Sequence, residues 1–192
     1  MSLKSFLIAI VIMLAISTSW YAYKTYSFTK LSGNYKILTN DQKMAINLGK
    51  SQLPSTVRLN PVNGSSLKPN LAEELRKNPY TLLVIFEPTS CGSCLGEFTL
   101  YNSLKSDRDT PVIGISSMKD QKELETYIRN AKLNIPVYQD SLAFVGAFLQ
   151  PAAVPAKVLV DSEGKIKWVD YVRENQEDQN IFAGFLSWYV QR

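Results

Sequence analysis

The chain has 192 residues, 45% hydrophobic and 20% charged, the balance of an ordinary globular protein with room for one domain and appendages. Its formal charge of +4 is spread too evenly to favour a nucleic-acid partner, and no basic cluster carries interleaved aromatics. Histidine is absent and cysteine occurs twice, which excludes Ser-His-Asp and Cys-His nucleophile systems and c-type haem attachment, and leaves a structural zinc site two ligands short unless carboxylates or a second chain supply them.

Residues 5–23 carry no charge, and Lys4 and Lys24 bracket them. At helical rise such a run spans about 28 Å, close to the ~30 Å hydrocarbon core of a bilayer. Trp20, Tyr21 and Tyr23 stand at its C-terminal edge, where amphipathic rings favour the interface. A retained single-pass membrane anchor is therefore expected. The rival is a cleaved signal peptide with an apolar core from Phe6 to Ile16 and a small-x-small site at Ala15-Ile16-Ser17. Lys24, Lys30 and Lys36 follow the run and only Lys4 precedes it, so basic count does not favour an outward C-terminal domain. The position of the run at the extreme N-terminus, as in an export signal, favours a domain facing the periplasm or cell exterior.

Residues 24–55 read as a juxtamembrane spacer, with a short helix from Asp41 to Leu48 stopped by Gly49. The remainder, residues 56–192, alternates strand and helix signals. Val57 to Asn60 is expected as a strand, and Pro61, Asn63 and Gly64 as a turn. Asn70 with Glu73 resembles a capping box for a helix ended by Pro79. Thr81 to Phe86 is a continuous apolar run suited to a central strand, and Gly92 to Leu104 is expected to be helical. A second buried strand is expected over Pro111 to Ser116. An amphipathic helix follows over Asp120 to Ala131, with Leu124, Tyr127, Ile128 and Ala131 on one face. Pro136 to Gln139 is a short strand, and Ser141 caps a helix through Leu149. Lys157 to Val160 and Ile166 to Val169 form a hairpin about Asp161 to Gly164. The last helix, Glu177 to Val190, presents Ile181, Phe182, Phe185 and Tyr189. Together these predict an α/β domain, a central mixed sheet flanked by helices.

The two cysteines occur as Cys91-Gly92-Ser93-Cys94, between a predicted central strand and a predicted helix. A cysteine at a helix start meets unpaired N–H groups and the positive end of the dipole, which stabilise thiolate over thiol. Two intervening residues bring the second thiol within one helical turn. The chemistry expected is attack by Cys91 on a substrate disulfide, then release of the reduced substrate by Cys94. The bland alternative is a small local disulfide, and so short a loop would constrain the unfolded chain least.

The run LLVIFEPTSCGSCLGEF, with VPAKVLVDSEGKI some sixty residues on, resembles thioredoxin-like thiol–disulfide oxidoreductases, above all the membrane-anchored, extracytoplasmic TlpA/ResA-like branch. The resemblance covers about residues 55–190 and the N-terminal anchor. It implies that Cys91 is the exposed nucleophile and Cys94 the buried resolving thiol. Pro155 matches the cis-proline beside the active site and Val154 the residue whose backbone pairs with substrate. Asp161 to Gly164 match the branch's D-x-x-G hairpin, and Glu97 matches an acid of the cytochrome-c-maturation members. On the residues alone, Glu97 is either a buried tuner or proton relay for a thiol, or an exposed helix-surface acid. Glu87 is a weaker candidate of the same kind. The chain departs from cytosolic thioredoxins in having Ile85 six positions before Cys91 and Ser90 directly before it.

The expected activity is reduction of disulfides in exported proteins, apocytochrome c among the candidates, with no cofactor. The partners are a protein disulfide substrate, a membrane electron donor or acceptor, and the membrane itself. The same residues run in reverse would make an oxidase. A thiol peroxidase lacks support from the spaced Pro–Thr–Cys pattern, and a copper-delivery module lacks its histidine ligand. A non-enzymatic assembly or binding subunit with this fold is the remaining alternative.

Overall fold

The computed structural model describes residues 13–14, 17–20, 52–63, 69–89, 94–149, 151, 154–171 and 176–190. The chain forms two compact units, residues 1–37 and 38–192. In the first, the described residues are helical, and the Ser17 and Thr18 hydroxyls both donate to the Leu14 carbonyl. The expected anchor falls mostly outside the described residues, among which no helix is long and apolar enough to cross a membrane. The helix expected from Asp41 to Leu48 lies outside them too.

The described residues of the second unit run β1 (Asn60–Asn63), α1 (Leu71–Leu75), β2 (Tyr80–Phe86), α2 (Cys94–Arg108), β3 (Val112–Ser116), α3 (Gln121–Asn130), β4 (Val137–Gln139), α4 (Phe144–Leu149), β5 (Ala156–Asp161), β6 (Ile166–Tyr171) and α5 (Gln176–Val190). The strands form one sheet in the order β1-β4-β3-β2-β5-β6. Strands β2, β3 and β4 are parallel, and β1, β5 and β6 run antiparallel to their neighbours.

Strand β2 lies at the middle because its apolar run has no polar face to show water: Thr81 to Phe86 are all buried. Its side chains alternate between two cores. Leu83 and Ile85 join Ile113, Ile115, Val158 and Val160 on the face that Leu71 and Leu75 of α1 and Val145 and Leu149 of α4 cover. Phe86 points the other way and packs edge-on against Phe98 of α2, with ring centroids 5.7 Å apart, and stacks at 6.4 Å on Tyr127 of α3. Further along that face Trp168 of β6 stacks on Phe182 of α5 at 5.2 Å. Helix α5 buries Ala183 and Leu186 as well as Phe182 and Phe185, a wider apolar stripe than expected.

Two helix starts follow the sequence closely. Asn70 accepts from the Ala72 N–H, and Asp120 from the Glu123 N–H. The hairpin is also as expected: the Asp161 carboxylate accepts the N–H groups of Glu163 and Lys165, and Gly164 takes φ +79°.

Other expectations are corrected. Residues 57–59 do not open a strand of the sheet. They pair with the loop before α1, Leu59 donating to the Pro69 carbonyl and Leu71 to that of Val57. Pro61 and Asn63 belong to β1, not to a turn, and the ladder is irregular between them. The Asn63 side chain stands in for backbone there, donating to the Ile135 carbonyl and accepting the Val137 N–H. Ser141 does not cap α4. Asp140 accepts the N–H groups of Phe144 and Val145 at 2.8 and 2.6 Å, and Ala143 takes φ +50° so that the helix starts only at Phe144.

Candidate active site

The carboxyl ends of β2, β3 and β4 share one edge of the sheet, as parallel strands must, and antiparallel β5 begins there. In sequence the Cys-x-x-Cys motif lies between β2 and α2. Cys94 is the first residue of α2, and Cys91 lies outside the described residues. The helix continues to Arg108, one turn beyond the expected Leu104. Across the sheet, Ile85 of β2 is in register with Ala156 of β5, and the Val154–Pro155 peptide just before it is cis.

Glu97 sits on the turn after Cys94 and is fully buried. Its Oε1 accepts from Lys157 Nζ at 2.7 Å, and its Oε2 accepts from the Tyr101 hydroxyl. Lys157 is itself fully buried, with its ammonium 3.7 Å from Asp170 Oδ2 and 5.0 Å from the centre of the Phe182 ring. Period-two alternation explains the position. Lys157 shares a strand face with Leu159, opposite Val84 and Leu82 of β2, so its stem enters an apolar layer and its charge must be met there. Asp170 meets it because Lys157 and Asp170 are cross-strand partners. Removing one member of a buried pair strands the other, typically at a cost of about 3–5 kcal/mol.

Burial pushes the Tyr101 phenol well above its ordinary value, and the charge of Glu97 adds to the shift. Tyr101 is therefore a hydrogen-bond donor to Glu97 at any physiological pH. Glu87 is held differently, at the strand edge, accepting from the hydroxyls of Ser117 and Thr89.

The sequence reading singled out Glu97 but missed Lys157, Asp170 and Tyr101. Their signals were present: Lys157 and Asp170 fall on the inward parity of strands otherwise apolar on that face, and Tyr101 is four positions after Glu97, one helical turn on.

No protein-family model matches the sequence, and no curated protein matches it either. In three dimensions the fold is thioredoxin-like. The thioredoxin domain of a thiol–disulfide oxidoreductase from Bacteroides vulgatus is similar at TM-score 0.56 and 20% identity, over 73% of this chain and 96% of that one. A secreted Mycobacterium tuberculosis disulfide oxidoreductase, homologous to Escherichia coli DsbE, is similar at TM-score 0.53 and 16% identity, over 72% and 97%. A peroxidoxin of the same organism is similar at TM-score 0.55 and 11% identity, over 74% and 99%. At these identities the likeness is one of fold, and the chemistry must be argued from the residues.

Proposed function

We propose that this chain is a membrane-tethered thiol–disulfide oxidoreductase that reduces disulfides of exported proteins outside the cytoplasm, cytochrome c maturation being one such setting. The observation that carries the reading is the place of the dithiol motif: Cys94 opens α2 at the carboxyl end of central strand β2, one turn before a buried carboxylate. Cys91 is the nucleophile. Its thiolate attacks a substrate disulfide, and Cys94 resolves the mixed disulfide, so that two thiols are oxidised as one substrate disulfide is reduced. Val154 offers backbone to an extended substrate segment beside Pro155. The secreted disulfide oxidoreductase among the structural neighbours supports an extracytoplasmic site of action, and the uncharged run over residues 5–23 supports the tether.

Thiol peroxidase activity is the second reading, favoured by the peroxidoxin likeness and opposed by the absence of a spaced Pro–Thr–Cys pattern. Redox-buffer titration of the full chain, with mass detection of alkylated thiols, tests the first reading. A potential near about −270 mV supports a reductase, and one near about −120 mV makes the chain an oxidant. A pair that never closes to a reversible disulfide would sink the oxidoreductase reading.

A further inference from the structure

The parallel strands end in one row across the sheet: Phe86 of β2 is in register with Ser116 of β3, and Ser116 with Gln139 of β4. The row continues to Asn60, where antiparallel β1 begins. At that end lies a cavity of about 380 Å³, lined by Val57, Arg58 and Asn60 and by Gln139, Leu142 and Phe144. Leu142 is 87% exposed and Phe144 46%, so two large apolar side chains stand in water at its margin. The backbone beneath them is fixed. The Asp140 N–H donates to the Ser116 carbonyl, the Gln139 amide donates to the carbonyls of Met118 and Lys119, and the Asp140 carboxylate accepts the Phe144 and Val145 N–H groups. The segment bearing Arg58 is held as well, through the Leu59 N–H on the Pro69 carbonyl and the Leu71 N–H on that of Val57. Apolar side chains held out in water by a rigid backbone forgo burial in the free chain but lose little freedom on binding. Arg58 is exposed and forms no ion pair among the described residues. The acid beside it in the lining, Asp140, is buried and occupied by the helix N–H groups.

We infer that this cavity is a specificity site for the substrate protein, taking an extended segment that carries a carboxylate beside a bulky apolar residue. The inference rests on the oxidoreductase reading. Charge complementarity selects the occupant: the site offers an unpaired guanidinium with two apolar side chains, and an acidic, apolar segment answers both. A phospholipid surface is recognised by clusters of basic residues, whereas this lining holds one arginine. A two-fold pairing of the patch with itself would bring no free acid to Arg58, since Asp140 is already used. The spacing follows from the sheet. Neighbouring strands are about 4.8 Å apart, so β4 lies about 10 Å from β2 and β1 about 14 Å from it. A substrate disulfide presented at the end of β2, which the dithiol motif follows in sequence, would reach the cavity through about three or four extended residues at about 3.3 Å each.

The experiment mixes the reduced full chain, in detergent, with an excess of peptides each closed by one disulfide, and follows oxidation of the chain by acid quench, alkylation and mass detection. The peptides differ only in carrying Leu-Glu, Leu-Gln or Leu-Lys about four residues before the first cysteine. Bis(2-hydroxyethyl) disulfide, uncharged and too short to reach the cavity, gives the reference rate. At low peptide concentration the Leu-Glu peptide oxidises the wild-type chain about tenfold faster than the Leu-Lys peptide. The difference lies in half-saturation and not in the maximal rate, because the contact is made away from the reacting sulfurs. Arg58→Glu inverts the order of these two peptides, and Leu142→Ser slows all three about threefold, each relative to the reference disulfide. Both side chains are exposed, so neither substitution threatens folding. Peptide rates that ignore the Glu, Gln or Lys, or that neither substitution alters, overturn the inference and leave the oxidoreductase reading intact, whether the patch then proves to pair two copies of the chain or to rest on anionic phospholipid vesicles. A wild-type chain that is oxidised reversibly by no disulfide, the reference included, overturns both.

Discussion

Gly114 of β3 and Phe86 of β2 leave no room for a methyl group between them: a Cβ built at Gly114 would lie 3.1 Å from Phe86 Cε1 and 3.1 Å from Val137 Cγ2. The Phe86 ring cannot retreat easily, being wedged edge-on against Phe98 and stacked on Tyr127. Gly114→Ala should therefore destabilise the domain by about 1–2 kcal/mol, the ordinary cost of mild overpacking. The midpoint of urea unfolding reads this directly. An unchanged midpoint would mean that the aromatic cluster yields.

Asp140 accepts two N–H groups at the start of α4, a helix of six residues that propensity alone could not hold. Asp140→Ala should cost about 1–2 kcal/mol, and Asp140→Asn less, since one acceptor remains. Hydrogen exchange at the Phe144 and Val145 amides should rise in the alanine variant, and unaltered protection there would argue against the cap.

Phe182 is completely buried and lies against both Trp168 and the Lys157 ammonium. Phe182→Ala should lower stability by about 3–5 kcal/mol, as truncation of a core aromatic does. Because the indole of Trp168 loses its stacking partner, the near-ultraviolet circular dichroism should change in the same variant. Loss of stability with an unchanged aromatic spectrum would contradict the stacked arrangement.

Asp161 titrates below its ordinary value. Burial alone would raise it, but the bond from Lys167 and the N–H groups of Lys165 and Glu163 together prevail. A folded value below the unfolded one makes the contribution of this carboxylate full above the unfolded value of about 3.9, and it is lost as the pH falls through the folded value. Asp161→Asn should thus unfold at lower urea than wild type at neutral pH, with the two midpoints converging in acid. A gap that stays constant with pH would show that the charge is irrelevant to the turn.

Cys94→Ser should trap substrate on Cys91 as a stable mixed disulfide, and Cys91→Ser should trap none, because only the first thiol attacks the substrate in the proposed cycle and the second attacks Cys91. Mass analysis of complexes formed with a disulfide-containing peptide distinguishes the two. Adducts on the Cys91→Ser chain would reverse the assigned roles.

Much of the sheet could be read from local pattern because its signals are local. The buried run of β2, the Asn70 cap and the Asp161–Gly164 turn each depend on residues within a few positions of one another. The start of α4 was misplaced because Asp140 and Ser141 are adjacent and both are good caps, so only the backbone turn at Ala143 decides between them. Strand β1 was misplaced because Pro61 and Asn63 carry turn signals, and a pairing partner near position 138 overrides them. Glu97 shows the limit most plainly. Burial or exposure of that acid depends on an ammonium sixty positions further along the chain, which no helical periodicity could reveal.

Among the described residues strand β1 ends the sheet, and its middle contains Pro61, which has no N–H to give in either direction. The irregular ladder between Pro61 and Asn63 breaks the straight run of backbone that another chain would need as a template. Copies of this protein held side by side at high local density would therefore gain little from adding strand to strand at this margin, and the domain is protected there against polymerising through its own sheet.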